Sequence, residues 1–206
     1  MSHSYTGAAT SFVATKVIYN KPNDIEGFIG YLPTDNSIYV SFRGTESLDN
    51  WLVDADAFKM NYTTWPECAD CEVHAGFYKA VKSVESDIIS EVSRLKTLYP
   101  SYAVKSVGHS LGAALAHLTA LSLLKNGFET SLLNFGQPRV GNKAFAAFSQ
   151  SVMPNQWRVV HHKDIVPHSP SMDWPQSYHH TFHEMYEDDS GIRQCDDSGE
   201  DFTCSD

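Results

Sequence analysis

The sequence predicts an α/β chain: a central, mostly parallel sheet flanked by helices. Three observations carry that prediction. Strand-like and helix-like segments alternate through the second half, the pattern of parallel strands joined by crossover helices. The helical segments space their apolar residues at helical intervals, while the strand-like segments are short and rich in β-branched residues. The 206 residues suffice for one substantial core and are too few for two ordinary domains, so residues 1–206 are expected to form a single domain.

Taken in order, Ile25–Leu32 and Ser37–Phe42 are β-branched and aromatic, and Thr34-Asp35-Asn36 between them suits a turn, so they read as a hairpin. Residues 76–98 place Phe77, Val81, Val84, Ile88, Val92 and Leu95 near helical spacing, with Pro100 beyond the end. A strand is expected at 103–107, a helix at Leu111–Lys125 and a short buried strand at 131–135. A helix at Lys143–Val152 and a strand at Gln156–His161 follow. Within the second helix an apolar stretch is broken by His117, Thr119 and Ser122, which reads as a buried helix and not a membrane span.

Composition narrows the partners. A hydrophobic share of 42% against 19% charged is a globular balance. The net charge of −10 argues against nucleic acid, whose phosphates need a positive surface, and against anionic membranes; a neutral lipid or an uncharged ester is not repelled. The first residues lack the charged and apolar regions of a signal peptide. The four cysteines nevertheless suit an oxidising compartment: Cys68 with Cys71, and Cys195 with Cys204, form two sequence-local pairs. A four-thiolate zinc cage is the rival, but eight residues separate Cys195 from Cys204 where such ligands stand two to four apart. Asn61-Tyr62-Thr63 is an acceptor sequence for N-glycosylation and points the same way. Secretion, with the leader absent from this chain, is the expectation.

The chemistry centres on Gly108-His109-Ser110-Leu111-Gly112, set between an expected strand and an expected helix. In that context G-x-S-x-G is a nucleophile elbow, and the chain is expected to take the α/β-hydrolase fold. A serine hydroxyl needs a base, which in this fold follows the nucleophile and then an acid along the chain. Asp164 follows an expected strand, at the carboxyl end where open α/β sheets place their sites. For the base, His179, His180 and His183 compete, and residue chemistry alone does not separate them. His161, His162 and His168 lie near, but no H-E-x-x-H appears and the triad needs no Lewis acid, so neither metal nor cofactor is expected.

These motifs together resemble the class 3 lipase family, the fungal lipase and feruloyl esterase group. Phe42-Arg43-Gly44-Thr45-Glu46-Ser47 with Trp51, Val73-His74-Ala75-Gly76-Phe77, the elbow, and Phe135-Gly136-Gln137-Pro138-Arg139-Val140-Gly141 match in order, as do Asp164-Ile165-Val166-Pro167 and Tyr178-His179-His180 with Glu184. The resemblance selects His180 as base by its place after that tyrosine and before that glutamate. It implies an oxyanion hole from Thr45 and the Leu111 amide, and a short helical lid. The lid segment carries Leu48, Trp51 and Leu52 on one apolar face behind the capping candidate Ser47, suited to an oil–water interface. Arg43 and His74 are expected to be structural. Three departures stand out: a shorter amino-terminal region, no closing segment past the last cysteine, and Thr181-Phe182 where small residues are usual. The implied activity is ester hydrolysis, foremost of triacylglycerols. A feruloyl or short-chain esterase, suggested by Cys68-x-x-Cys71-x-Val73-His74, and a catalytically silent binding protein are the alternatives.

Overall fold

The computed structural model describes residues 7–23, 25–44 and 58–204. Its main sheet is built from β1 (Val13–Asn20), β2 (Ile25–Leu32), β3 (Ser37–Phe42), β6 (Ala103–His109), β7 (Thr130–Phe135), β9 (Gln156–His161), β11 (Glu184–Asp188) and β12 (Gly191–Gln194), in that spatial order. The β3–β6, β6–β7, β7–β9 and β9–β11 pairs are parallel, and antiparallel pairs close both sides. Three helices, α1 (Ala75–Leu98), α2 (Leu111–Lys125) and α3 (Lys143–Val152), complete the layers among the described residues. A small sheet of β4 (Lys59–Asn61), β5 (Glu72–His74), β8 (Gly141–Asn142) and β10 (Tyr178–His179) has the order β10-β8-β5-β4.

The hairpin forms as expected, and so do the three helices, with α1 starting one residue early because His74 Nδ1 accepts from the Phe77 amide at 3.3 Å and caps it. The sequence reading missed β1, β11 and β12, and the reason is physical: in β1 only Ile18 is fully buried, in β11 only Glu184, and every residue of β12 is exposed, so no alternation marks them. The small sheet escaped because its strands of two or three residues are too short to show a period.

Every residue of α2 from Gly112 to Leu123 is buried. A helix apolar all round sits inside the core and is held by packing on several sides. Here it lies against β6, β7, β3 and α1. Leu115, Leu118, Leu121 and Leu123 are each no more than 2% exposed. The first turn of this immobilised helix begins at Ser110.

Candidate active site

Ser110 stands at the junction of β6 and α2 with φ +56° and ψ −128°, a backbone that side-chain-bearing residues rarely adopt. Two glycines make the turn feasible. A Cβ on Gly108 would collide with the Gly112 carbonyl, and one on Gly112 would lie 2.5 Å from the Arg43 carbonyl oxygen. The nucleophile's own amide donates to Phe135 O at 3.0 Å, tying the elbow to the end of β7. Its Oγ is buried and has no hydrogen-bond partner. Leu111, as the first residue of α2, has an N–H with no acceptor inside the helix, the position an oxyanion donor needs.

Asp164 follows β9 and is brought to the same rim. Its Oδ1 accepts from the Val166 amide at 3.0 Å, while Oδ2 lies 2.5 Å from where a Cβ on Gly136 would be. Gly136 has φ +53°, so it is needed twice, for its backbone and for the carboxylate seated against it. His109 Nε2 faces the same point from 3.7 Å. Gly136 was visible in the sequence only as part of a motif; what it does required the tertiary contact.

His180 requires a correction. Its Nε2 donates to the Pro167 carbonyl at 2.9 Å, and its Nδ1 is buried with no partner. Neither nitrogen is hydrogen-bonded to Ser110 or Asp164, so the structure brings Ser110 and Asp164 to one rim but does not seat this histidine between them. Burial, then the nearby guanidiniums of Arg158 and Arg139, holds its pKa well below the ordinary histidine value, so the ring is neutral. The competing histidines are also engaged elsewhere: His179 Nδ1 donates to His180 O at 2.8 Å, and His183 Nδ1 meets Asp197 at 3.0 Å.

The segment around His180 is instead fastened from below. Arg139, of the motif after β7, makes a two-point pair with Glu200 at 2.9 and 2.7 Å, and its Nη1 donates to His168 O and Pro170 O. Glu200 also accepts from the His180 amide at 2.7 Å. Arg158 donates to Thr181 O, Glu184 and Gly199 O from a site 1% exposed. The Cys195–Cys204 disulfide closes the loop that delivers Gly199 and Glu200, and Cys68–Cys71 closes a second; both pairings are the expected ones. Among the described residues Glu184, Cys195 and Cys204 cluster like metal ligands, yet the sulfurs are bonded to each other and the carboxylate to Arg158.

Behind the elbow runs a buried polar chain that sequence reasoning missed. Asn134 Nδ2 donates to Ala113 O at 2.8 Å and to Gln137 Oε1 at 2.7 Å. Gln137 Nε2 faces His117 Nδ1 at 3.4 Å, and His117 Nε2 meets Ser149 Oγ at 2.7 Å. The first turn of α2, the loop after β7 and α3 are thus cross-tied. Burial pushes the His117 pKa down to about 3, keeping it uncharged. Its only sequence trace was a polar break in an apolar helix.

Arg43 pairs with Glu26 at 3.0 Å and His74 caps and stacks on Phe77, so both hold structure as expected. Thr45 and the lid residues Leu48, Trp51 and Leu52 lie outside the described residues. Gly44 does not: a Cβ there would lie 3.3 Å from Ser110 Cβ, so the strand that leads to Thr45 exits beside the nucleophile.

Comparison with known proteins places the chain in a family. A family model described as Lipase (class 3) matches residues 39–174. The chain is 38% identical over 165 residues to a secreted mono- and diacylglycerol lipase of Fusarium solani, covering 79% of this chain and 48% of that protein. It is 36% identical over 152 residues to a lipase of Rhizomucor miehei, covering 71% and 41%. The chain therefore spans about half the length of the curated relatives it matches. Among solved structures, a lipase of Rhizopus microsporus var. chinensis superposes with a TM-score of 0.87 at 33% identity, covering 95% of this chain and 69% of the other. A triacylglycerol lipase whose catalytic centre is formed by a serine protease triad superposes with a TM-score of 0.85 at 31% identity, covering 96% and 76%.

Proposed function

Because the chain belongs to the class 3 lipase family, we propose that it is the nucleophile-bearing part of a carboxylic ester hydrolase acting on acylglycerols, triacylglycerols foremost. The observation that carries this reading is the elbow: a serine at positive φ, clamped between two glycines at a helix start, with the Asp164 carboxylate seated on the adjacent Gly136.

In the reaction Ser110 Oγ attacks the ester carbonyl and the oxyanion forms beside the Leu111 amide. Thr45, one residue past Gly44, is the second donor on the family's pattern. Each such donor lowers the barrier by ~3 kcal/mol. A histidine base takes the Ser110 proton and gives it to the departing alcohol, which leaves an acyl-enzyme that water hydrolyses after the same base takes its proton. Asp164 orients that histidine. His180, the base the family resemblance implies, takes the role only once its ring leaves the Pro167 carbonyl, and the roles of Ser110 and Asp164 do not depend on it. The chemistry uses no cofactor or metal.

The Fusarium solani relative is named as a secreted lipase, and the two disulfides suit an oxidising compartment, which supports secretion. The net charge of −10 supports an uncharged ester substrate and no nucleic-acid partner. No described helix is long and apolar enough to cross a membrane. A second reading, a feruloyl or short-chain esterase, draws on the Cys68–Cys71 loop leading into Val73-His74.

A fluorophosphonate probe should label Ser110 in the full-length folded protein; an unlabelled Ser110 would favour the silent binding protein. A chain-length series of esters, run beside an emulsified triglyceride and a feruloyl ester, then assigns the substrate. Trp51→Asp should depress hydrolysis of the emulsion far more than that of a soluble short-chain ester. Equal loss on both would remove the lid and interface from the reading.

A further inference from the structure

One sequence motif is used neither by the fold nor by the ester chemistry. Of the nine asparagines in the chain, only Asn61 has a hydroxyl residue two positions on, in Asn61-Tyr62-Thr63. We propose that Asn61 carries an N-linked oligosaccharide, and that this glycan caps the edge strand that β4 forms in the small sheet among the described residues.

The placement is what an acceptor needs. Asn61 ends β4, the outermost strand in the order β10-β8-β5-β4, and it is exposed. The next residue, Tyr62, is 4% exposed and packs edge-on against Tyr78 and Phe145, and its amide continues the pairing by donating to Cys71 O at 2.9 Å. Successive residues of an extended chain point to opposite sides, so with Tyr62 turned into the core, Asn61 and Thr63 are turned out. Asn20, Asn126, Asn134 and Asn142 all spend their side-chain amides on hydrogen bonds within the protein, whereas the Asn61 side chain makes none among the described residues. Attaching a sugar to its Nδ2 therefore breaks nothing in the folded chain. The loop that follows is closed by Cys68–Cys71, a bond of the same oxidising compartment in which N-linked glycans are added.

The transfer balances simply. Nδ2 of Asn61 bonds to the anomeric carbon of a lipid-pyrophosphate-linked oligosaccharide, the carbon–oxygen bond to pyrophosphate breaks, and one proton leaves the amide nitrogen. The consequence follows from position. An outer strand presents unpaired N–H and C=O groups that template pairing with a second chain, and a bulky hydrophilic group at its end obstructs that approach.

The inference rests on the proposed passage through a secretory pathway, and its test separates the two. The full-length protein is produced in a eukaryotic secretory host and its peptides are mapped after N-glycosidase treatment in heavy-oxygen water. The expected result is conversion of Asn61 to a heavy-oxygen-labelled aspartate, lost in Asn61→Gln and Thr63→Ala. Thr63→Ser, which keeps the hydroxyl that meets Tyr78 at 3.0 Å, should restore the modification. Asn61→Gln should keep full specific activity on a soluble ester and self-associate at lower concentration in light scattering. Protein recovered from the medium with unmodified Asn61 would overturn the glycan and leave secretion standing; protein retained in the cytosol and unmodified would overturn both. A modified Asn61 with unchanged self-association on its removal would overturn the edge-capping role.

Discussion

The elbow and the histidine segment are both densely bonded, but their bonds point to different ends. Around Ser110 these ties hold the turn itself: its amide to Phe135 O, the Gly108 and Gly112 contacts, and the Asn134 bond to the first turn of α2. Around His180 the ties point away from Ser110. Pro167 O takes Nε2, Glu200 takes the amide, and the Arg158 and Arg139 ion pairs hold the surrounding backbone. The elbow is a local device made from five consecutive residues on a buried helix. The histidine segment is assembled from four stretches far apart in sequence, and its geometry is set by where they meet. Dense bonding thus marks where a segment is held, not which reaction its side chains serve.

The sharpest way to break this comparison is to remove the two side chains in turn. Ser110→Ala should lower turnover on the order of 10⁶-fold while the melting temperature holds. His180→Ala should instead act first on stability, lowering the melting temperature. If it matched Ser110→Ala in activity with stability intact, His180 would be the base and its ring would have to turn away from Pro167 in the working enzyme. Gly136→Ala comes next. The added methyl at positive φ should push Asp164 off the rim and cost turnover on the order of 10⁴-fold, the scale for loss of a triad acid. Wild-type turnover in that variant would detach Asp164 from the site.

For the histidine segment the expected losses are in stability. Glu200→Ala removes the two-point pair from Arg139, whose side chain is 4% exposed, and should destabilise by about 3–5 kcal/mol in denaturant unfolding. A loss under about 1 kcal/mol, the scale of an exposed pair, would show that the clamp is not what holds the segment. The smallest effect is a pH slope. His117 and His180 are neutral when folded, with pKa values pushed below the ordinary one, and regain it on unfolding. Below about pH 6.5 the unfolded chain therefore binds more protons, and stability falls as pH falls toward the folded-state values. Each buried histidine should contribute ~1.4 kcal/mol per pH unit over that window. His117→Gln should remove one histidine's share of the slope between pH 7 and 5; an unaltered slope would mean His117 is not the buried neutral group described.

Much of this molecule is determined by its sequence alone. The hairpin, the three helices and the parallel strands β3, β6, β7 and β9 follow from periodicity and turn residues, both disulfide pairings from cysteines close in sequence, and the candidates Ser110 and Asp164 from a five-residue motif and a strand end. Such features are legible because their causes are local: a glycine beside a serine, an apolar residue one helical turn from the next. Only the tertiary structure decided the rest. The edge strand β1 and the small sheet lack a period to read, and Gly136 acquires its task only when Asp164 is folded against it. The His117 chain depends on three elements meeting in the core. The family resemblance named His180 by its place along the chain, whereas a hydrogen bond is fixed by direction in space, and in space that ring faces Pro167.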